Sequence, residues 1–322
     1  MKAAFYNSYG PPDVLTVTEV DKPTPTDNEV LVRVHMATMN RTDTGLRSAN
    51  YFISRFFTGL VRPRQPIGGS EFAGEIVQVG ANVTSFKVGD KVFGFDDVNG
   101  GAHAEFMAKK TTGAFVAIPL GFSYSQVAAA GEGATYALND IRASGIKKGQ
   151  KALVYGASGA IGSAAVQLLK HMGVNVTAVC GTKNVQLMQE LGADEVIDYQ
   201  TQDFLQTNNK FNLIFDAVGK TSYGACKKLL TPGGTYCSTE LGKYGQNPLL
   251  AIWFALTRSR KVIFPIPKIN KEIMEYLKQL IELGAYTPAI DRTYALSEVV
   301  EAAKYAESGQ KTGNVLLKIS SE

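Results

Sequence analysis

The sequence contains few of the residues that disulfide bonds and metal sites require. Its 322 residues include only three cysteines and three histidines. The cysteines (Cys180, Cys226 and Cys237) are too few and too scattered for a disulfide framework. No Cys-x-x-Cys pair is present, and no two histidines lie at the spacing of metal ligands. These absences predict reduced thiols and no bound metal.

Long apolar runs and long basic runs are missing as well. The N-terminus, "MKAAFYNSYGPPD", lacks the apolar core of a signal peptide. The longest apolar helical stretch, "NPLLAIWFALTRSR", is shorter than the roughly 20 residues that span a bilayer. We expect it to be a buried helix, with contact to a partner subunit or a membrane surface as the alternatives. We therefore expect a cytoplasmic protein with no transmembrane segment and, at a net charge of +4 without a basic run, no nucleic-acid partner.

Two kinds of hydrophobic pattern follow one another along the chain. Up to about residue 120, strands such as "EVLVRVHMA" alternate apolar and polar residues. Residues 40–66 interrupt them as a long stretch that we expect to be an irregular, functional loop. From about residue 121, short apolar strands alternate with helices. This rhythm predicts an α/β protein with a doubly wound parallel sheet and a second, β-rich domain.

The stretch "VYGASGAIGSAAVQLL" joins an apolar strand to a helix through three glycines. Gly156 allows a tight exit from the strand, Gly159 allows backbone amides to approach a pyrophosphate, and Gly162 allows the helix to pack on the sheet. A small-residue turn that merely packs a helix is the alternative. The strand–turn–helix context favours dinucleotide binding. The expected contacts come from Gly156, Ser158, Gly159, Ala160, Ile161 and Gly162.

The end of the next strand, "VCGTKN", indicates which dinucleotide is bound. An NAD site normally has Asp or Glu about 20 residues beyond the glycines, where this chain has Gly181, Thr182 and Lys183. A hydroxyl group and an ammonium group pair with a 2′-phosphate, which a carboxylate would repel. The sequence therefore predicts NADPH, with a solvated Lys183 as the alternative.

Two local signals have simpler explanations. Tyr223 and Lys227 have the Tyr-x-x-x-Lys spacing of short-chain dehydrogenases, but the glycine turn is in mid-chain and the corresponding upstream region, "TNNKFNLIF", has no serine. We interpret this pair as a coincidence. His35 and His171 are interpreted as structural, and His103, in "NGGAHAEF", is expected at the surface.

Landmarks along the whole chain resemble the medium-chain dehydrogenase/reductase superfamily. They include "NEVLVRV", "GGSEFAGEIVQVG", "VGDKVFGF", "LGADEVIDY", "FDAVG" and "TGNVLLKI", in the family's order. Within the superfamily they resemble the zinc-free, zeta-crystallin-like quinone oxidoreductases, including the chloroplast envelope branch. The resemblance implies a GroES-like catalytic domain of residues 1–120 and 268–322 and a Rossmann domain of residues 121–267.

The resemblance also implies the absence of zinc. Zinc-dependent relatives have a Cys where this chain has "NRTD" and a His-Glu pair where it has "GGSEF". Ser70 thus replaces the His, and only Glu71 remains. The four cysteines of the structural zinc lobe are missing.

Further site residues are implied by the same resemblance. Asn40 and Asp43 would line the nicotinamide pocket, and Tyr51 would lie over the substrate. Gly45 stands where some relatives have a tyrosine, so the proton donor is not identified. The remaining contacts would come from Thr135 to the nicotinamide ribose, Tyr199 to the adenosine phosphate, Val218 after a Rossmann strand, and Asn314 near the C-terminus.

These features predict an oxidoreductase that transfers hydride from NADPH to a quinone or an α,β-unsaturated carbonyl. Such acceptors are electrophilic without a Lewis acid, and Asn40, Tyr51 or Thr135 could stabilise the developing oxyanion. The alternative is an NADPH-binding redox sensor or partner-binding protein with little turnover. A zinc alcohol dehydrogenase is disfavoured by the missing ligands. We also predict a homodimer through residues near 250–267, where "KVIFPIP" provides an edge strand.

Overall fold

A computed structural model of the protein describes residues 1–49 and 55–320, except for the Phe57 side chain. It divides the chain into two compact units. Unit 1 comprises residues 1–132, 269–283 and 290–322, and unit 2 comprises residues 133–268 and 284–289.

The described residues form the following regular elements. The strands are β1 Lys2–Phe5, β2 Thr16–Glu19, β3 Glu29–Thr38, β4 Glu71–Val79, β5 Lys91–Phe95, β6 Phe106–Lys110, β7 Phe115–Ala117, β8 Lys151–Tyr155, β9 Asn175–Cys180, β10 Glu195–Asp198, β11 Phe211–Asp216, β12 Leu230–Ser238, β13 Val262–Ile263, β14 Ile290–Ala295 and β15 Asn314–Lys318. The α-helices are α1 Arg41–Ser48, α2 Arg55–Thr58, α3 Tyr124–Val127, α4 Glu132–Ser144, α5 Ala160–His171, α6 Val185–Glu190, α7 Tyr223–Cys226, α8 Gln246–Leu256, α9 Lys271–Glu282 and α10 Val299–Glu307.

Unit 1 is built on a seven-stranded sheet. Its strand order is β14-β15-β3-β4-β5-β7, and β6 also pairs with β3. Every pair in this sheet is antiparallel except β14 with β15. Val30, Val32 and Val34 of β3 share one buried core with Ala302 and Ala303 of α10. This core holds β3, which ends two residues before Asn40, and β15, which begins at Asn314.

Unit 2 is built on a six-stranded sheet that is parallel throughout. Its strand order is β10-β9-β8-β11-β12-β13. Numbered within the unit this is 3-2-1-4-5-6, the order of a Rossmann fold. The order reverses between β8 and β11, so the predicted glycine turn after β8 lies at the topological switch point. The predicted α/β fold class with a doubly wound sheet is confirmed.

Residues 40–66 are more regular than the sequence pattern indicated, since α1 and α2 lie within them. α1 begins directly after Asn40, whose backbone N–H donates to the Asp43 carboxylate at 2.8 Å. An acid three residues after the N-cap satisfies an otherwise unpaired amide, as in a capping box. The spacing Asn-x-x-Asp was therefore a helix-start signal as well as a family landmark.

His103 is buried and not at the surface, which corrects the sequence prediction. Its exposed fraction is 2%, and its Nε2 lies 2.7 Å from the carbonyl oxygen of Thr38. The space that it fills exists because Gly69 has no side chain: a Cβ there would lie 2.6 Å from Cδ2 of His103. The glycines of "GGSEF" therefore accommodate a buried ring.

Most of the stretch 247–260 lies in helix α8, which ends at Leu256, but the prediction that this helix is buried was wrong. α8 packs one face on unit 2 and leaves the opposite face exposed, Trp253 included. The following strand is also shorter than expected: β13 has two residues, because Pro265 and Pro267 cannot donate to a ladder. No helix in the described part of the chain is long and apolar enough to cross a membrane.

Candidate active site

Two glycines of the turn between β8 and α5 are required by the fold itself. Gly156 has a φ of +75°, and a Cβ there would lie 2.6 Å from Cγ1 of Val218. A Cβ on Gly162 would lie 2.2 Å from the carbonyl oxygen of Gly156. Their missing side chains let β8, α5 and the segment after β11 pack closely at the switch point.

Gly159 differs because the fold leaves space around it. A Cβ there would meet one atom, the carbonyl oxygen of Gly156, at an ordinary contact distance of 3.6 Å. Gly159 is the N-cap of α5 and has no side chain with which to cap the amides of the first turn. Such amides bind phosphate groups at helix N-termini. The turn through Ser158, Ala160 and Ile161 therefore fits the pyrophosphate of a dinucleotide.

The segment after β9, which forms the rim of the predicted nucleotide site, lies beside an acid that the sequence spacing did not reveal. The Thr182 Oγ1 atom lies 2.6 Å from Oδ2 of Asp198 and 2.7 Å from Oε1 of Gln200. Asp198 ends β10 and pairs in register with Cys180, so it reaches the rim from the neighbouring strand. Lys183 is exposed at the same rim. The rim therefore presents one lysine and one carboxylate close to each other.

Gly181 and Tyr199 meet at this rim. A Cβ on Gly181 would lie 3.1 Å from the Tyr199 hydroxyl oxygen, and the tyrosine is more than half exposed. A larger residue at position 181 would therefore displace the tyrosine that is predicted to contact the adenosine phosphate.

Thr135, in α4, carries a buried hydroxyl group. Among the side-chain atoms that the structure describes, its Oγ1 is one of few that are buried without a hydrogen-bond partner. Burial of a hydroxyl without a partner is unfavourable. The Thr135 hydroxyl is therefore available to a ligand, and the nicotinamide ribose is the predicted one.

A buried network of polar side chains surrounds Asn40 in unit 1. Its Nδ2 lies 3.0 Å from Oδ1 of Asn314 and 3.2 Å from Oε2 of Glu71. Its Oδ1 accepts a hydrogen bond from Nζ of Lys311 at 3.1 Å. Oε2 of Glu132 lies 3.5 Å from the same Nδ2. Asn40 thus links the beginnings of α1, β4, α4 and β15.

Glu71 is the carboxylate of this network whose ionised form is better stabilised by hydrogen bonds than that of Glu132. Its Oε1 accepts the backbone N–H groups of Gly131 and Glu132 at 2.8 and 2.7 Å. Its Oε2 accepts the Thr38 hydroxyl at 3.0 Å and the Asn40 amide. Burial raises the pKa of Glu71 to about 7. Four donors favour the ionised form, so Glu71 is the first of the pair to lose its proton.

Glu132 is the carboxyl that retains a proton. The Thr42 hydroxyl donates to its Oε1, and the Ser70 hydroxyl lies 3.4 Å from its Oε2. Burial raises the pKa of Glu132 well above its usual range, and the charges of Glu71 and Asp43 raise it further. No sequence motif marked Glu132, because its role depends on burial beside a second carboxylate.

Lys311 adds a positive charge to the network. Its Nζ donates to the carbonyl oxygen of Gly313 at 2.6 Å in addition to Asn40. Burial lowers the pKa of Lys311 to about 8, and the neighbouring carboxyl groups oppose that shift. The sequence places this lysine in a polar turn before β15, which gave no sign that it contacts Asn40.

The positions of zinc ligands in zinc-dependent relatives are engaged in hydrogen bonds here. Oδ1 of Asp43 accepts the backbone N–H of Ser70 at 2.9 Å and its hydroxyl at 3.0 Å. Asp43 thus holds the start of α1 against the residue before β4. Within the described residues, no group of three or more His, Cys, Asp and Glu side chains could hold a metal ion. Tyr51, predicted over the substrate, lies outside the described residues.

Comparisons with known proteins cover the whole chain. Residues 26–140 match the family described as "Alcohol dehydrogenase GroES-like domain", and residues 191–317 match "Zinc-binding dehydrogenase". The chloroplast envelope quinone oxidoreductase homolog of Arabidopsis thaliana is 32% identical, over 99% of this chain and 98% of its own. The 2-methylene-furan-3-one reductase of Solanum lycopersicum is 29% identical, over 98% of this chain and 79% of its own.

A solved structure extends the likeness to the fold. The quinone oxidoreductase of Coxiella burnetii has a TM-score of 0.88, with 26% identity and 99% of both chains covered. A GroES-like unit together with a Rossmann unit defines a two-domain oxidoreductase that uses a nicotinamide cofactor. The chain belongs to the medium-chain dehydrogenase/reductase superfamily, in its zeta-crystallin-like quinone oxidoreductase branch.

Proposed function

We propose that the chain is a zinc-independent, NADPH-dependent reductase of quinones or α,β-unsaturated carbonyl compounds. One observation carries the proposal: Asn40 and Ser70, at zinc-ligand positions, belong to a buried network in which Glu132 holds a proton. This network provides hydrogen bonds and a proton, but not a Lewis acid. The acceptors that need no Lewis acid are those already electrophilic. The names of the Arabidopsis and tomato relatives cover both acceptor classes.

The residues of unit 2 would bind and orient the dinucleotide. The amides of Ala160 and Ile161 would bind the pyrophosphate, and the Thr135 hydroxyl would contact the nicotinamide ribose. Lys183 would pair with the 2′-phosphate beside Tyr199. When bound, the cofactor supplies a hydride from its nicotinamide ring.

The residues of unit 1 would act on the acceptor. Asn40 and Tyr51 would hydrogen-bond the carbonyl oxygen as negative charge develops. An enone that gains a hydride at one carbon must gain a proton at the next. Glu132 would provide that proton by way of the Thr42 hydroxyl, whose Oγ1 contacts its Oε1. Oγ1 would accept the carboxyl proton as it passes its own proton to the substrate carbon, and Glu132 would recover a proton from solvent.

A screen of NADPH oxidation tests the proposal. Quinones and alkenals should be reduced, simple ketones should not, and turnover should persist after treatment with a metal chelator. Turnover of simple ketones that is lost after chelation and returns when zinc is added would contradict the proposal. Tight NADPH binding without turnover of any acceptor would instead support the sensor or partner-binding alternative.

Replacement of Lys183 with alanine tests the cofactor preference. A charge-assisted contact with phosphate contributes about 1.5–3 kcal/mol, so kcat/KM for NADPH should fall roughly ten- to hundredfold while that for NADH is unchanged. Asp198→Asn should shift the ratio towards NADPH by removing the carboxylate beside Thr182. Lys148→Ala, an exposed lysine of the same unit, is the matched control. An unchanged ratio in Lys183→Ala would show that the rim does not bind a 2′-phosphate.

The homodimer predicted near residues 250–267 is proposed to form along β13. This strand ends the sheet of unit 2, with β12 on its other side. An unpaired strand edge invites pairing with another chain. Antiparallel pairing of two β13 strands would place a two-fold axis perpendicular to the sheet.

A further inference from the structure

α8 is apolar on two opposite faces, and unit 2 covers one of them. Leu250, Ala251 and Phe254 pack against the core of unit 2, where the Phe254 ring lies 5.4 Å from that of Tyr223. A helix that is apolar on both sides requires two apolar environments. The outer face forms one stripe at spacings of three and four residues. Its side chains and their exposed fractions are Leu249 64%, Ile252 59%, Trp253 62% and Leu256 77%.

Both ends of α8 are fixed to unit 2, so the outer face is presented by a folded helix. At its beginning, the Asn247 side chain donates to the carbonyl oxygen of Glu240 at 2.7 Å. Just beyond its end, the carbonyl oxygen of Arg260 accepts the hydroxyl of Thr235 in β12 at 2.9 Å. The exposure of the stripe is therefore a property of the packed helix.

The charged residues of segment 241–268, which contains this stripe, are all basic. Residues 241–268 contain no Asp or Glu and five basic residues, whereas the whole chain has a net charge of only +4. This segment therefore accounts for the net positive charge of the chain. One basic residue precedes the helix and the others follow it: Lys243, Arg258, Arg260, Lys261 and Lys268.

We propose that α8 docks the protein on the surface of an anionic lipid bilayer. Leu, Ile and Trp side chains on one helix face, with Lys and Arg beside them, are the composition of helices that lie in a membrane interface. Trp253 suits the headgroup level, and the basic residues match anionic lipid headgroups. α8 has 11 residues and lies on the membrane without crossing it.

A second copy of the chain fits this face less well. Burying α8 against α8 about a two-fold axis would bring two clusters of five positive charges together, which like-charge repulsion opposes. Pairing along β13 would leave the outer face of α8 exposed in both copies, and both copies of α8 would lie on the same side of the extended sheet. Such a dimer would present two apolar stripes and two basic clusters to one membrane, which raises avidity.

The single tryptophan of the chain is Trp253, so its fluorescence reports on this face directly. Vesicles of phosphatidylcholine mixed with phosphatidylglycerol should shift the emission to the blue and carry the protein along in flotation. Pure phosphatidylcholine vesicles should bind it much more weakly, and added salt should release it. This readout needs no turnover, so it stands or falls independently of the proposed reductase activity.

Matched variants separate the apolar and charged contributions. Leu256→Ser should weaken binding to mixed vesicles about tenfold, and Leu120→Ser, a fully exposed leucine of unit 1, should not. Arg258→Gln with Lys261→Gln should weaken it roughly 25-fold, whereas Lys147→Gln with Lys148→Gln should have a smaller effect. Unshifted Trp253 emission with anionic vesicles would overturn the proposal. So would a Leu256→Ser chain that light scattering shows as monomer beside a dimeric wild type, because the face would then belong to a second copy.

Discussion

Replacing Glu132 with glutamine should lower the rate of enone reduction about a hundredfold or more, the typical contribution of a positioned general acid. Glutamine preserves the shape of a protonated glutamic acid and keeps an oxygen for the Thr42 hydroxyl, but it has no proton to give. The affinity for NADPH should be unchanged, because the contacts predicted for the pyrophosphate lie in unit 2. The measurement is the single-turnover rate of NADPH oxidation, together with the dissociation constant of NADPH.

The pH dependence separates a proton donor from a residue that only positions others. Glu71 has a pKa of about 7 and Glu132 titrates above it, so the wild-type rate should fall as pH rises beyond 7. The Glu132→Gln rate should be flat over that range and should lose its solvent isotope effect. Asp140→Asn is a matched control, because Asp140 is also a buried carboxyl whose pKa burial raises to about 7. A Glu132→Gln enzyme with the wild-type rate would exclude Glu132 as the donor.

The same carboxyl should make stability depend on pH. In the folded state Glu132 keeps its proton at pH values at which the unfolded chain, with a pKa near 4.5, has lost it. The folded state therefore binds more protons, and the free energy of unfolding falls as pH rises above about 4.5. Glu132→Gln removes this dependence. The Tm of the Glu132→Gln variant minus the Tm of the wild type should therefore increase from pH 5 to pH 8.

The sequence alone predicted the structure of those parts of the chain where local chemistry determines it. The glycines of the turn, the short apolar strands and the helices between them are local signals, and they placed the turn at the switch point of a Rossmann sheet. The cap at Asn40 is also a local signal, given by the spacing from Asn40 to Asp43. Local propensity and turn chemistry therefore predicted most of unit 2.

The remaining site residues depend on contacts between distant segments. The pKa of Glu132 is raised in part because α4 begins next to Glu71 of β4. Asp198 reaches Thr182 because β10 pairs with β9 in one particular register. Burial and register arise from tertiary packing, so no spacing within one segment could reveal them. The exposed face of α8 was missed for the same reason, since its composition is that of a buried helix.

The two glycines at the start of α5 should respond in opposite ways to the same substitution. Gly162→Ala places a Cβ 2.2 Å from the carbonyl oxygen of Gly156 and 2.7 Å from Cα of Ala157, so backbone must move. It should cost about 1–3 kcal/mol of stability. Gly159→Ala places its Cβ at an ordinary 3.6 Å contact in an extended conformation with φ −78°. Its stability without nucleotide should equal that of the wild type.

The effect on cofactor binding should be the reverse. A methyl group at Gly159 enters the space predicted for the pyrophosphate, so Gly159→Ala should weaken NADPH binding at least about tenfold. Gly159→Val should weaken it about a hundredfold or more, equivalent to losing one or two charge-assisted hydrogen bonds of about 1.5–3 kcal/mol each. Thermal unfolding without nucleotide and calorimetric titration with NADPH provide the two readouts. If Gly159→Ala lowers Tm as much as Gly162→Ala does, or leaves the Kd for NADPH unchanged, the pyrophosphate does not lie at the N-terminus of α5.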